Sequence, residues 1–540
     1  MVGMSDDNTT TAGGSGYRKE LGFWSIVLLT VGAILGPAVA YIPVTVLADG
    51  GPAGILSWVF ALVLIIPIAF VYVELGTMWP RAGGVAYYPA RSHGPITGVL
   101  NGWAAFVGYS LAMPAVVAAI VEYASYFYPR LYSNGVLTTS GLLVSIVATL
   151  IIWLINTRRV RFLGTVNNVL TTIKTLLILV VALTLISFFH PANLTRYGGF
   201  APYGVGGVFL ATSATIFAYA GFRQPIDYSE EVKDSGRTIP RAVIASLLVV
   251  FAVYIIESLA FVGTVNWGFL GFTPGEWSSL SSLPYPYASA SQGVGLTTLA
   301  VIAIVGVVIA SFSDGVIYYG GASRVGNALA KYDGYFPDQL SKLNVHGIPF
   351  NSTLLVLAVS IIYLILLPSF ASVLSVFVDA VVFSYAPSAV SLLVFRKTNP
   401  GKNRPYTLPV AKLLSPFAFV VGGLLIFWSG WTFVSISIIS VFVGLVLLAF
   451  FNRRRRIDSA DLKAGLWLPV YALAVLVMSY VSDKTYFGGR GIIPFRWTRN
   501  NTVPMGQPPI HSSHTRLLLL GVHLGFQLHA KRNTGLNLEH

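Results

Sequence analysis

Ionisable side chains inside long apolar stretches are the residues of this sequence best placed to do chemistry. Lys174 ends the run Asn168-Val169-Leu170-Thr171-Thr172-Ile173-Lys174, roughly ten residues from either end of its apolar segment. At that depth its stem cannot carry the ammonium group out to water. Asp314 lies in another such segment, close to Ser311 and Ser313, and Glu257 and Asp379 occupy two more. Arg223 and Glu74 stand at segment ends. A charge in such surroundings is costly and is kept where it pairs, binds an ion or gates a path. Glu74 suits a structural role, and neither Glu257 nor Asp379 has a partner that the sequence identifies.

The chemistry these groups do not suggest is equally informative. There is no G-x-x-x-x-G-K-[ST] phosphate loop, which argues against an ATP-driven pump, and no H-E-x-x-H. No nucleophile–base set accompanies the charges, so an enzyme is not expected. The absence of cysteine excludes disulfides and thiolate metal sites. His511 and His514 are three residues apart but lack a supporting ligand set, so neither a metal nor a cofactor is expected.

The elements that must hold these residues follow from composition. Hydrophobic residues make up 55% of the 540-residue chain and charged residues 10%, against about 25% charged in soluble proteins. The apolar residues come in blocks long enough to cross a bilayer, at 21–48, 53–78, 97–126, 140–156, 163–188, 206–222, 242–266, 296–318, 352–368, 371–395, 413–430, 432–451 and 464–482. Thirteen spans divide the Lys and Arg residues of the connections 24 to 2, with the larger set on the side of the N-terminus. The positive-inside rule then puts the N-terminus in the cytoplasm. The net charge of +14 is explained by that placement, without a nucleic-acid partner. The lipid bilayer is the expected surrounding.

Two spans carry breaks. In the first, Gly32-Ala33-Ile34-Leu35-Gly36-Pro37 interrupts the helix, because Pro37 has no N–H to donate. In the sixth, Phe217-Ala218-Tyr219-Ala220-Gly221-Phe222 follows an opening rich in glycine. Backbone freed inside a membrane must face protein, water or a ligand. Breaks in helices one and six point to a 5+5 inverted repeat with a substrate between them. Half-helix N-termini then offer N–H groups to an anion, and C-termini offer carbonyls to a cation. Tyr109, Phe217 and Tyr219 are placed to cover a substrate or stack on an ammonium group.

At these residues the sequence resembles the amino acid–polyamine–organocation permease family. Gly32-Ala33-Ile34-Leu35-Gly36 is similar to its first-helix glycine motif, and Glu74-Leu75-Gly76-Thr77-Met78-Trp79-Pro80-Arg81-Ala82-Gly83-Gly84 to its second-helix exit. Phe217–Phe222, Glu230-Glu231-Val232-Lys233 and Ile239-Pro240-Arg241-Ala242 resemble its sixth helix and the following loop. Ala322-Ser323-Arg324 and Arg404-Pro405-Tyr406 match its eighth-helix end and its tenth-to-eleventh loop. The resemblance runs in order over about residues 20–490. It departs from the family after the first break. The usual G-x-G is Gly36-Pro37-Ala38 here, so the N–H groups that hold a substrate carboxylate in the family are reduced. An amine or amide substrate stays possible.

The resemblance implies an all-α polytopic membrane protein with a leucine-transporter-like 5+5 inverted repeat, discontinuous helices 1 and 6, and additional C-terminal helices. The expected divisions are a disordered cytoplasmic N-terminus (1–20), a first repeat (21–188), a second repeat (206–395), accessory helices (413–482) and an atypical tail (483–540). The implied function is a secondary active permease of amino acids or related amines in the cell membrane. It would work by alternating access, with proton coupling or exchange rather than sodium coupling. A transporter-like nutrient sensor and an ion channel are the alternatives. The substrate-binding candidates are Gly32, Ala33, Ile34, Gly36, Pro37, Ala38, Tyr109, Phe217, Ala218, Tyr219 and Gly221, with Phe217 at the family's gating aromatic. Lys174, Asp314, Ser311 and Arg223 are the coupling and gating candidates. Lys174 resembles a built-in cation at the place sodium takes in sodium-coupled relatives, and Asp314 is expected to share or exchange charge with it. Arg223 either favours an acidic substrate or pairs with Asp227 or Glu231 as a gate.

Overall fold

The computed structural model describes residues 16–332, 336–367, 370–451, 459–484 and 488–492. Every one of the thirteen expected spans is helical. Among the described residues, eleven helical segments are long and apolar enough to cross a membrane. The difference in count has two causes. The break after Ile34 leaves Phe23–Ile34 with 12 residues, and Ala38–Gly50 runs on into the second span, so that Ala38–Met78 forms one segment. The other short apolar helix is Phe350–Leu366, with 17 residues. Joined end to end, Phe23–Ile34 and Ala38–Gly50 cover about 37 Å at ~1.5 Å per residue, enough to cross the apolar layer. The chain is an all-α polytopic membrane protein whose first and sixth helices are discontinuous.

Apolar side chains fill most of the interior and also cover the outer faces of the spans, while the polar groups within the spans are turned inward. On the fifth span, Val160–Ile186, the side chains of Val169, Ile173, Leu176, Val180 and Leu183 form an exposed stripe at helical spacing. Asn167, Thr171 and Lys174 lie on the opposite, buried face. The third span, Pro95–Ala124, runs through the middle of the bundle, with 94% of its apolar window buried. It packs on the eighth span, Thr297–Lys331, and on Phe370–Phe383. Small residues permit this closeness; at Gly108 and Gly315 the facing side chains are Val381 and Val116.

Glu74, expected to be structural, anchors the end of the second span, Ser57–Met78. Its buried carboxylate accepts from Arg396 Nε at 3.0 Å and Nη2 at 2.5 Å, and from the Leu408 backbone N–H at 2.7 Å. Arg404 Nε lies 3.4 Å away. Glu74→Gln removes the charge on which two arginines converge. It is expected to lower stability in detergent by roughly 2–3 kcal/mol, seen as a lower thermal unfolding midpoint.

The N-terminal boundary needs a correction. Residues 16–20 were expected to be disordered, yet they are tied to the rest of the molecule. The Glu20 and Leu21 N–H groups both donate to the Glu231 carbonyl at 3.0 Å, and Lys233 N–H donates to Leu21 O at 2.9 Å. Tyr17 donates to Asn327 Oδ1 at 3.1 Å. The cause is pairing of this extended segment with the loop after the sixth span, sealed by Leu21, which is buried. Residues 1–15 and 493–540, with His511 and His514, lie outside the described residues.

Candidate functional site

The first break begins where the Pro37 nitrogen can no longer continue the ladder. Leu35 N–H still reaches Val31 O at 2.9 Å, and the helix restarts at Ala38. Carbonyls at the end of Phe23–Ile34 thus lose their partners along the helix. Two side chains from other spans replace them. Lys174 Nζ donates to Gly32 O at 2.7 Å, and Tyr254 donates its hydroxyl to Ile34 O at 3.1 Å. Lys174 is wholly buried, and its Nζ also lies 3.5 Å from Ala310 O of the eighth span. An ammonium ion therefore sits at the negative end of a half-helix, where a cation is favoured.

The sixth span breaks slightly later than the sequence suggests. Phe217 and Ala218 end the helix Gly204–Ala218, Tyr219 caps it, and a tight turn Ala220–Arg223 leads into Gln224–Asp227. The two breaks touch at Gly221. A Cβ there would overlap the Ala33 carbonyl oxygen and lie 2.7 Å from Ile34 N, so the backbones meet only because residue 221 has no side chain. Tyr385 donates to Ala220 O at 3.0 Å. Of the substrate candidates, Gly32, Ala33, Ile34, Gly36, Pro37, Ala218, Tyr219 and Gly221 are buried around this contact. Ala38 and Phe217 are half-buried.

Asp314 faces the same place from the eighth span. Its carboxyl lies against Gly36, where a Cβ would come 2.7 Å from the carboxyl carbon. Its Oδ1 has no hydrogen-bond partner among the described residues. Lys174 and Asp314 are not joined by a direct ion pair among the described residues, since Lys174 spends its ammonium on carbonyls. Ser311 donates within its own helix to Val307 O at 2.8 Å, whereas Ser313 meets Thr171 of the fifth span at 3.2 Å.

Arg223 is wholly buried in a nest of tyrosines. Its Nε donates to Tyr109 at 2.8 Å, and its Nη1 to Tyr72 at 3.3 Å and to Ser384. Its guanidinium carbon lies 5.0–5.4 Å from the ring centres of Tyr109, Tyr385 and Tyr72. Tyr109 in turn donates to Asp227 Oδ2 at 2.7 Å, with Arg223 Nε 3.9 Å from the same oxygen. Tyr109 thus serves Arg223 and Asp227. Of the two expected partners, Glu231 is a correction. It is bound by Arg324 through Nε and through Nη2 at 2.8 Å, because the turns after the sixth span aim it at the eighth. Glu257 and Asp379 are also buried, Glu257 three residues along its helix from Tyr254.

Sequence reasoning missed Tyr72, Tyr254, Ser384 and Tyr385. Ser384 interrupts the tenth span between Phe370–Phe383 and Tyr385–Thr398. Ser384 beside Tyr385, three residues before Pro387, is a sequence signal for that interruption, whereas Tyr72 and Tyr254 stand between apolar residues and give none.

The family profile described as "Amino acid permease" matches residues 21–476. The glutamate/serine transporter AimA of Bacillus subtilis is 29% identical over 89% of this chain and 90% of its own length. The aspartate-proton symporter of the same organism is 29% identical over 88% of this chain and 92% of its own. Its branched-chain amino acid permease BcaP is 25% identical over 84% of this chain and 97% of its own. With two broken helices meeting at a glycine inside a bundle of apolar spans, these matches show that the chain belongs to the amino acid permease family, as a multi-pass membrane transporter of amino acids and not an enzyme.

Proposed function

We propose that this transporter is a secondary active carrier of the cell membrane that works by alternating access. It uses proton coupling or exchange in place of sodium coupling, and its N-terminus is cytoplasmic. The observation that carries this reading is the Lys174 ammonium 2.7 Å from the Gly32 carbonyl. The amino group of the side chain there occupies the negative half-helix end that a bound sodium ion would otherwise use. The substrate lies between Gly32–Ala38 and Phe217–Gly221, and the repeats 21–188 and 206–395 rock about it. Asp314 is the proton-carrying group. It faces Gly36, has an unpartnered oxygen, and has Lys174 as a near but unbonded cation. The relatives' printed substrates (glutamate, serine, aspartate and branched-chain amino acids) support an α-amino acid cargo over a simple amine. The 24-to-2 division of basic residues supports the orientation.

The test is uptake of labelled amino acids into proteoliposomes. Replacing sodium by choline is expected to leave the rate unchanged. An inward proton gradient, or preloading with unlabelled amino acid, is expected to raise it. Strict dependence on sodium would sink this reading.

A further inference from the structure

Arg223 keeps one guanidinium nitrogen free. Nε and Nη1 are engaged by Tyr109, Tyr72 and Ser384, but Nη2 has no hydrogen-bond partner among the described residues, although the side chain is 0% exposed. Asp227 does not meet this need, because it lies 3.9 Å from Nε and its near oxygen is already held by the Tyr109 hydroxyl. The guanidinium also stands at a helix N-terminus. Ser384 is the N-cap of Tyr385–Thr398, its side chain makes no capping bond, and its hydroxyl accepts from Arg223 instead. A helix N-terminus carries a positive potential that favours an anion. Arg223 lies two residues from Gly221, where the broken helices touch, and Tyr385 reaches the same place by donating to the Ala220 carbonyl at 3.0 Å.

We propose that Arg223 and the N-terminus of Tyr385–Thr398 form the subsite for the side-chain carboxylate of an acidic amino acid, so that dicarboxylic amino acids are the preferred substrates. This assignment rests on the transport reading above. A carboxylate would satisfy Nη2 with a charge-assisted bond. A neutral side chain leaves a buried donor unpaired, and a cationic one meets a like charge. Tyr72, Tyr109 and Tyr385 hold the guanidinium in place, so little rotamer freedom is lost on binding.

The experiment measures kcat/KM for labelled glutamate, serine and lysine in proteoliposomes, for the wild type, Arg223→Gln and Arg223→Lys. The wild type is expected to prefer glutamate over serine and to exclude lysine. The glutamate-to-serine ratio should fall at least about tenfold in Arg223→Gln, the scale of one lost charge-assisted hydrogen bond, and should recover in part in Arg223→Lys. A ratio unchanged in a folded Arg223→Gln protein overturns the proposal. Should that variant fail to fold, thermal unfolding of the detergent-solubilised wild type decides. Glutamate must raise the midpoint more than serine does, and an equal or smaller rise overturns the subsite. Glutamate stabilisation without flux would instead leave the subsite standing and reject the transport reading.

Discussion

Lys174→Ala is expected to lower amino acid uptake by roughly tenfold to a hundredfold, the range set by losing a hydrogen bond of about 1.5–3 kcal/mol to a charged group. The ammonium is the donor that serves Gly32 O at the end of the first half-helix, and it bridges that end to Ala310 of the eighth span. Alanine leaves a buried carbonyl unpaired and removes the nearest cation from Asp314. The fifth span itself should survive, because alanine is a good helix former and the lipid-facing stripe of Val169, Ile173, Leu176, Val180 and Leu183 is untouched. The measurement is initial uptake per folded protein, with folding checked by size exclusion. Full, gradient-dependent uptake by the variant would mean that Lys174 is a packing residue only.

The second large effect is expected at Gly221. Gly221→Ala places a methyl group where the Ala33 carbonyl oxygen already is, with Ile34 N beside it. Both obstacles are backbone, so neither can rotate away, and the broken helices must part. Overpacking of this kind costs about 1–3 kcal/mol in well-packed cores, and here it falls on the contact that defines the site. Uptake should drop by at least about tenfold, together with the unfolding midpoint. Gly206→Ala is the internal comparison, since a Cβ at Gly206 meets nothing within 4 Å. It is expected to transport like the wild type. Equal loss in both variants would show that the sixth span responds to any added methyl group, not to the contact with Ala33.

Parts of this architecture are legible in the residues alone, for physical reasons. Spans announce themselves because lipid-facing helices need unbroken apolar blocks, and the first break announces itself because Pro37 lacks an N–H. The burial of Lys174 is equally plain from its depth in the fifth span. Its hydrogen-bond partner is not, because a backbone carbonyl such as Gly32 O has no signature in a sequence. The tenth-span interruption at Ser384 is foreshadowed by Pro387, which has no N–H for the Phe383 carbonyl four residues before it, but nothing there marks Ser384 or Tyr385 as a neighbour of Arg223. Arg223 and Asp227 stand one helical turn apart and are readable as neighbours. The bond from Arg324 to Glu231 spans 93 residues of chain and depends on the fold. Tyr72, Tyr254 and Tyr385 are lost in a chain that is 13% aromatic, where position gives a single ring no distinction.

The central claim is that the two broken helices enclose an amino acid and release it on alternate sides. Counterflow tests this most directly. Proteoliposomes preloaded with unlabelled glutamate are diluted into a trace of labelled glutamate with no ion gradient. The account predicts a transient, saturable accumulation of label inside, driven by exchange alone. Flux that is linear and unsaturable would indicate a pore. Binding of label without accumulation would indicate a sensor, and either result would contradict the account.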